Sequence, residues 1–172
     1  MGRTVINVEL NYKSIDEAIK EIEKYERDTL KKIELFQKKL ADAIAEEAQI
    51  LFNNSIVDDV INGSPRRPNV TVEASTDGTV VIANGADAVW VEFGTGVSHN
   101  TSAGTSPHPK GAELGFTIGS FGKGMGKREV WGFPDGNGGI TLTRGTPATM
   151  PMYNAMMSVV KKAETIAREV WK

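Results

Sequence analysis

The sequence predicts an α+β domain in which helices cover one face of an antiparallel sheet. Three observations carry this prediction. A long charged stretch with helical apolar spacing follows a short alternating run, two alternating runs flank Asp77-Gly78, and a second helical stretch closes the chain. The length of 172 residues suits one domain, so we expect a single unit over residues 1–172.

The N-terminal third predicts a short strand followed by a helix. Residues 4–10 (TVINVEL) alternate in polarity as a strand does. Ser14 and Glu17 have the spacing of a capping box, which predicts a helix that continues to about residue 54. Its apolar stripe has helical spacing and comprises Ile15, Ile19, Ile22, Leu30, Ile33, Leu40, Ile44, Ala48 and Leu51. The stripe is weakest at residues 26–29, and no Gly or Pro decides between one helix and two.

The middle of the chain predicts a loop, a hairpin and a short helix. Residues 55–69 have loop composition, and the β-branched runs on either side of Asp77-Gly78 predict a β-hairpin. Residues 86–94 fit either a helix or a strand. We expect a short helix there, with Ala86, Val89, Trp90 and Phe93 on its apolar face.

Residues 94–139 contain thirteen of the eighteen glycines and predict an insertion or a mobile arm. Two further strands are expected near residues 127–133 and 139–145, joined by the turn segment PDGNGG. Thr149 and Pro151 have the residue types of a helix start, which predicts that the last helix opens at these positions.

Composition excludes several classes of protein. The net charge of −2 provides no overall attraction to nucleic acid or to an anionic membrane. The absence of cysteine excludes disulfides and thiolate sites, and it fits a reducing cytoplasm. No apolar run approaches the roughly 20 residues that span a bilayer, so no membrane contact is expected.

The glycine-rich stretch FTIGSFGKGMGKREVWGF (116–133) does not have the spacing of a phosphate-binding loop. A P-loop ending at Gly126-Lys127 requires glycine at position 121, which is Phe121, and a hydroxyl residue at position 128, which is Arg128. We therefore expect no nucleotide cofactor.

Residues suited to catalysis are few. His99 and His108 lie in loop sequence and have no metal-ligand spacing, so we predict no catalytic, cofactor-binding or metal-binding residues and no enzymatic activity. Two alternatives stay open: a small hydrolase or other enzyme that uses these histidines and loop acids, and a nucleic-acid binder that uses a basic arm with Lys123, Lys127 and Arg128.

Two segments together carry a family resemblance: AVWVEFGTG (88–96) and TRGTPATMPMYNAMM (143–157). With the glycine- and tryptophan-containing insertion between them, they resemble the minor structural proteins at the neck of tailed bacteriophages, the head-tail joining or tail-completion proteins. The resemblance covers most of the chain from about residue 14. The motif residues are Glu92, Phe93, Gly94, Arg144, Gly145 and Pro147.

The resemblance implies a non-enzymatic virion protein of the neck or tail, assembled in the host cytoplasm. It implies a cyclic homo-oligomer, a hexamer or a dodecamer, that contacts portal or connector proteins and the tail tube or tail terminator. Non-specific contact with packaged DNA is compatible with this role. The subunit or partner interface would comprise Phe116, Phe121, Lys123, Lys127, Arg128, Trp131 and Phe133. The four aromatic residues of this set are expected either to anchor the arm against a neighbour or to fold back on their own domain.

Three motif residues have expected structural roles. Gly94 ends the VEF segment and is expected to have a positive φ, and Gly145 joins a strand to the last helix. Arg144 is expected to bond a carboxylate such as Glu92.

Overall fold

The computed structural model describes residues 5–61, 63–99, 106–116, 128–134 and 136–172. The elements are helix α1 (Tyr12–Asn54), strands β1 (Thr71–Ala74) and β2 (Val81–Asn84), helix α2 (Ala88–Phe93), a 3-10 turn (Val97–His99), strands β3 (Trp131–Pro134) and β4 (Ile140–Thr143), and helix α3 (Pro151–Val170). The α+β class is confirmed. The expectation of a single sheet is wrong, because the described strands form two separate two-stranded antiparallel sheets, β1–β2 and β3–β4.

Helix α1 is one unbroken helix of 43 residues, about 65 Å long at 1.5 Å per residue. Its N-cap is Asn11, whose side chain accepts a hydrogen bond from the Ser14 backbone N–H at 2.9 Å. The predicted capping box of Ser14 and Glu17 is therefore wrong, and the Ser14 hydroxyl instead accepts a bond from the Glu9 N–H. Residues 5–10 form no strand, since no neighbouring strand in the described chain pairs with them.

The predicted hairpin is confirmed as β1 and β2, with Thr71 paired to Asn84 and Ala74 to Val81. Its turn depends on Asp77, which accepts bonds from the Ser75 hydroxyl and from both the N–H and the hydroxyl of Thr79. These bonds, the Ser75 hydroxyl first, lower the pKa of Asp77 to about 2.

The core lies where the C-terminal half of α1 meets the hairpin and α3. Ala48, Phe52, Val57, Val91 and Ala155 are among its most buried residues. On α3, Val159 and Val170 are buried, whereas Met156 and Val160 are exposed. On α2 the buried residues are Ala88, Val91 and Glu92 rather than the predicted apolar face.

The segment 55–70 is a loop held to its surroundings by short bridges and ion pairs. Val57 pairs with Arg66, and Val60 pairs with Thr143 at the end of β4. The Arg66 guanidinium donates two bonds of 2.9 Å to the Asp87 carboxylate at the start of α2. This guanidinium is the main reason that the pKa of Asp87 is lowered.

Gly145 is the tightest point of the link between β4 and α3. Its φ is 103°, and a Cβ placed there would lie 2.2 Å from the Thr95 carbonyl oxygen. Gly136 also has a positive φ, of 80°, but nothing lies within 4 Å of its Cβ position. Comparing alanine substitutions at the two positions therefore separates the cost of backbone strain from the cost of steric contact.

We expect Gly145→Ala to lower the free energy of unfolding by at least about 2 kcal/mol, because strain and a backbone clash add. Gly136→Ala should cost about 1 kcal/mol, from strain alone. Urea unfolding at pH 7 measures both variants. Equal losses would show that the contact between Gly145 and Thr95 is not tight.

We expect Asp87→Asn to lower unfolding free energy at pH 7 by about 1–2 kcal/mol through loss of the Arg66 pair. A lowered folded-state pKa contributes stability above the ordinary aspartate pKa of about 3.9, and this contribution disappears as pH falls through the folded value. The difference between Asp87→Asn and wild type should therefore shrink toward pH 2. The exposed Asp42→Asn is the control, and a pH-independent difference for Asp87→Asn would contradict the ion-pair account.

Candidate functional site

The two motif segments meet at the start of helix α3. Helix α2 ends at Gly94, whose N–H bonds to the Trp90 carbonyl, and the next residues run beside the link 144–149. The Thr95 N–H bonds to the Thr146 carbonyl at 2.8 Å, and the Thr149 N–H bonds to the Val91 carbonyl at 3.0 Å. Motif residues about 50 apart in sequence therefore form one structural unit.

Glu92 occupies the centre of this unit. Its residue is only 7% exposed, and its two carboxylate oxygens accept the N–H groups of Met152 at 2.8 Å and Tyr153 at 3.0 Å. These are free N–H groups of the first turn of α3, where the helix dipole favours negative charge. Glu92 thus caps α3 from a different helix.

The start of α3 has no cap of its own. The N-cap residue is Met150, with φ 52° and ψ 52° and no side-chain cap bond, so the prediction that Thr149 caps the helix is wrong. The Thr149 hydroxyl instead lies 2.7 Å from the Ser55 hydroxyl at the end of α1. Pro151 is the first helical residue, as expected.

His108 closes the other side of the carboxylate. Its Nε2 lies 3.2 Å from Oε1 of Glu92, and its Nδ1 accepts the Lys110 backbone N–H at 3.0 Å. An acceptor role at Nδ1 assigns the proton of a neutral ring to Nε2, the nitrogen nearer Glu92. The buried carboxylate therefore has two backbone hydrogen-bond donors and an imidazole nitrogen close to one oxygen.

The loop 106–116 packs onto the same unit through aromatic contacts. Phe116 stacks on Phe93 with ring centroids 4.0 Å apart and planes 4° apart. His108 contacts both Phe93 and Tyr153, at centroid distances of 4.5 and 5.3 Å. The Ser106 hydroxyl donates to the Phe93 carbonyl. This part of the predicted insertion is folded against its own domain, and Phe116 takes the second of its two expected positions, against its own domain rather than a neighbour.

Arg144 approaches a carboxylate as expected, but that carboxylate is Asp59 rather than the suggested Glu92. Its guanidinium lies 3.7 Å from the Asp59 carboxylate, which also lies 3.4 Å from Nε2 of His99. Nε2 of His99 is buried and makes no hydrogen bond, because the contact with Asp59 has an ion-pair distance without hydrogen-bond alignment. The two histidines thus face different carboxylates.

The remaining predicted residues have separate locations. Gly94 has the expected positive φ, of 74°, and a Cβ there would lie 2.8 Å from the Ala148 Cβ. Pro147 is half-buried in the link before α3. Arg128 and Trp131 are exposed, and Trp131 contacts Phe133 across 5.9 Å between ring centroids. Phe121, Lys123 and Lys127 lie outside the described residues.

The polar side-chain atoms at the centre of this unit are satisfied by contacts within the fold. Both Glu92 oxygens and both His108 nitrogens already have partners within the fold. Within the described ranges no group of three or more His, Cys, Asp or Glu residues is arranged to hold a metal ion. In the same part of the chain no helix is long and apolar enough to cross a bilayer.

Comparisons of the chain with family models, curated proteins and solved structures find no match. The resemblance to phage neck proteins therefore depends on the two sequence segments and the insertion between them.

We expect Glu92→Gln to lower the free energy of unfolding by about 1–3 kcal/mol, because the amide loses the charge at the helix start and directs donors toward N–H groups. Urea unfolding with far-UV circular dichroism measures the loss. The matched control is Glu113→Gln, an exposed acid on the same docked loop, which should change stability by less than about 0.5 kcal/mol. Wild-type stability in Glu92→Gln would refute the capping role.

Proposed function

We propose that this chain is a non-enzymatic structural protein of a tailed-phage neck, which joins head and tail or completes the tail as a cyclic homo-oligomer. The observation that carries the proposal is the unit formed by the two motif segments. The residues that bear the resemblance are occupied in holding α2, α3 and the loop 106–116 together, as Glu92 and Gly94 illustrate. A framework of this kind suits a protein that works through its surfaces.

A ring requires heterologous edges on each subunit, and the β3–β4 hairpin offers one. Trp131 is 41% exposed, Leu142 40% and Ile140 73%, so the hairpin carries a group of accessible apolar side chains. Among the described strands, β3 pairs only with β4, and its outer edge is available for β-augmentation by a neighbouring chain. Aromatic side chains at such edges are frequent anchors of subunit contacts.

The predicted arm precedes this hairpin in the sequence. Its residues 117–127 lie between the docked Phe116 and the exposed Arg128 in sequence, and they are outside the described residues. We propose that this segment, with Lys123 and Lys127, contacts the neighbouring subunit or an acidic partner at the neck. Portal or connector proteins and the tail tube or terminator are the proposed partners.

The proposal is tested by light scattering across a concentration series, with negative-stain imaging of any large species. We expect rings of six or twelve subunits, and we expect Trp131→Ala to weaken assembly about thirtyfold, the effect of losing roughly 2 kcal/mol at an interface anchor. The control is Leu114→Ala, which removes an exposed side chain (54%) from the docked loop and should leave assembly unchanged.

Deletion of residues 117–128 completes the test. The deleted protein should keep its circular dichroism spectrum and unfold cooperatively but form no rings. An unfolded product, or rings that still form, would contradict the assembly role proposed for the arm. Bound metal, or salt-sensitive DNA binding that falls when Lys127 and Arg128 are replaced, would instead favour the enzyme or the nucleic-acid alternative.

A further inference from the structure

The outer edge of β4 is occupied by the loop that follows α1. The Ile61 N–H donates to the Leu142 carbonyl at 3.0 Å, and the Arg144 N–H donates to the Asp59 carbonyl at 2.9 Å. Neighbouring residues of a strand direct their backbone groups to opposite sides. Leu142 and Arg144 therefore face this loop, whereas Thr143 between them faces β3.

The outer edge of β3 is open in the described part of the chain. Trp131 is level with Thr143, so its N–H and carbonyl point toward β4, and those of Gly132 point away from β4. Among the described residues, no bond outside the hairpin reaches the Gly132 N–H or carbonyl. Pro134, which also faces outward, has no N–H to donate. The edge therefore suits a short added strand that is centred on Gly132.

Apolar side chains cover one face of this hairpin as far as the open edge. Ile140 and Leu142 lie on the same face as Gly132, and they are 73% and 40% exposed. A Cβ placed on Gly132 would lie only 2.7 Å from Cγ2 of Ile140, so the Ile140 side chain reaches over Gly132 toward the edge. An added strand with apolar side chains on this face would cover both residues.

Residues 5–10 have the sequence of a strand but no strand partner. Ile6, Val8 and Leu10 share one side of an extended chain. Val8 is 53% exposed and Leu10 is fully exposed. No strand in the described chain pairs with this segment. The alternation that is typical of a half-buried strand is therefore present in a segment that water surrounds.

The segment and the open edge belong to opposite ends of α1. Residues 5–10 precede Tyr12, whereas the loop that bonds β4 follows Asn54, and the helix between them is about 65 Å long. Fully extended, residues 6–12 span at most roughly 25 Å and residues 54–60 roughly 21 Å. Two strand spacings add about 10 Å. Together these lengths are shorter than the helix, so the segment cannot reach β3 of its own chain.

We propose that residues 5–10 of one chain add as a strand to the outer edge of β3 in a second copy. Val8 lies level with Gly132 of that copy, and each N–H of the pair donates to the carbonyl of the other. The alternate side chains of the segment cover Ile140 and Leu142. Main-chain bonds provide the affinity of such a contact, and the alternate side chains provide its specificity.

This inference rests on the proposed assembly and names the strand that forms its contact. Each chain donates at one end of α1 and accepts at the other, so the contact is heterologous and continues from copy to copy until a ring closes. The two proposals can fail separately. Rings that form without the strand contact would overturn this inference alone. A strand contact that produces open filaments, or a monomer that still binds the isolated segment, would overturn the ring alone.

The first experiment is sedimentation equilibrium of the full chain and its variants, with circular dichroism to check folding. Val8→Asp and Ile140→Asp should each weaken self-association at least about tenfold, because each places a charge in the apolar contact. Two controls should leave it unchanged: Val5→Asp (68% exposed), on the other side of the segment, and Ile82→Asp (49% exposed), on the other hairpin. A mixture of Val8→Asp and Ile140→Asp should form a dimer, since one variant keeps the edge and the other keeps the segment.

Two results of this experiment would contradict the strand contact. Self-association that Ile82→Asp abolishes and Ile140→Asp does not would place the contact on the β1–β2 hairpin. Equal weakening by Val5→Asp and Val8→Asp would show that the side of the segment does not matter, as it must in an added strand.

The second experiment gives an answer even if the chain is monomeric. A synthetic peptide of residues 4–12 (TVINVELNY) is titrated into Val8→Asp by calorimetry, and it should bind. The same peptide with an N-methyl group on Val8 should bind at least about tenfold more weakly, because it keeps every side chain but lacks the N–H that bonds the Gly132 carbonyl. Equal binding of the two peptides, or binding of neither, would overturn the proposal.

Discussion

The fold depends on one buried carboxylate. Glu92 belongs to α2, but its oxygens bond the first N–H groups of α3, and its third partner is an imidazole from the loop 106–116. A charge of this kind is costly to bury without partners, because the interior cannot replace the lost hydration. Three separate segments must therefore come together before the Glu92 carboxylate is satisfied, and this requirement fixes the start of α3 against α2.

The backbone around α3 reflects the same constraint. Met150 adopts a left-handed conformation that costs a non-glycine residue free energy, and no side chain of its own segment caps the helix. The link 144–149 must follow a narrow path, since Gly94 lies against Ala148 and Gly145 against Thr95. Because the cap comes from α2, the link is free to satisfy packing instead of carrying a capping side chain. Strain at Met150 is thus balanced by the ionic cap at the next turn.

Local signals predicted most of the elements but not the contacts between them. The α1 periodicity, the Asp77-Gly78 hairpin and Pro151 at the start of α3 all act within a few residues, and each corresponds to an observed element. Residues 5–10 do not form the strand expected at 4–10, because alternation of polarity alone does not supply a partner strand. The role of Glu92 spans 60 residues and was missed. A proline-led helix with methionine at the N-cap, and an acid within an apolar VEF segment, are the signals that could have indicated it.

The distinction between framework and surface decides how function can be sought in this molecule. Glu92, Gly94 and Gly145 are determined by bonds and close contacts inside the chain, so replacing them tests folding before it tests anything else. The exposed apolar stripe on the N-terminal half of α1 and the exposed apolar side chains of the β3–β4 hairpin have no such internal role in the described fold. Exposed apolar patches on otherwise polar elements lower solubility. In soluble proteins such patches commonly mark surfaces that contact another molecule. Those two surfaces, rather than the motif that resembles a family, are where substitutions leave the contacts inside the described fold intact.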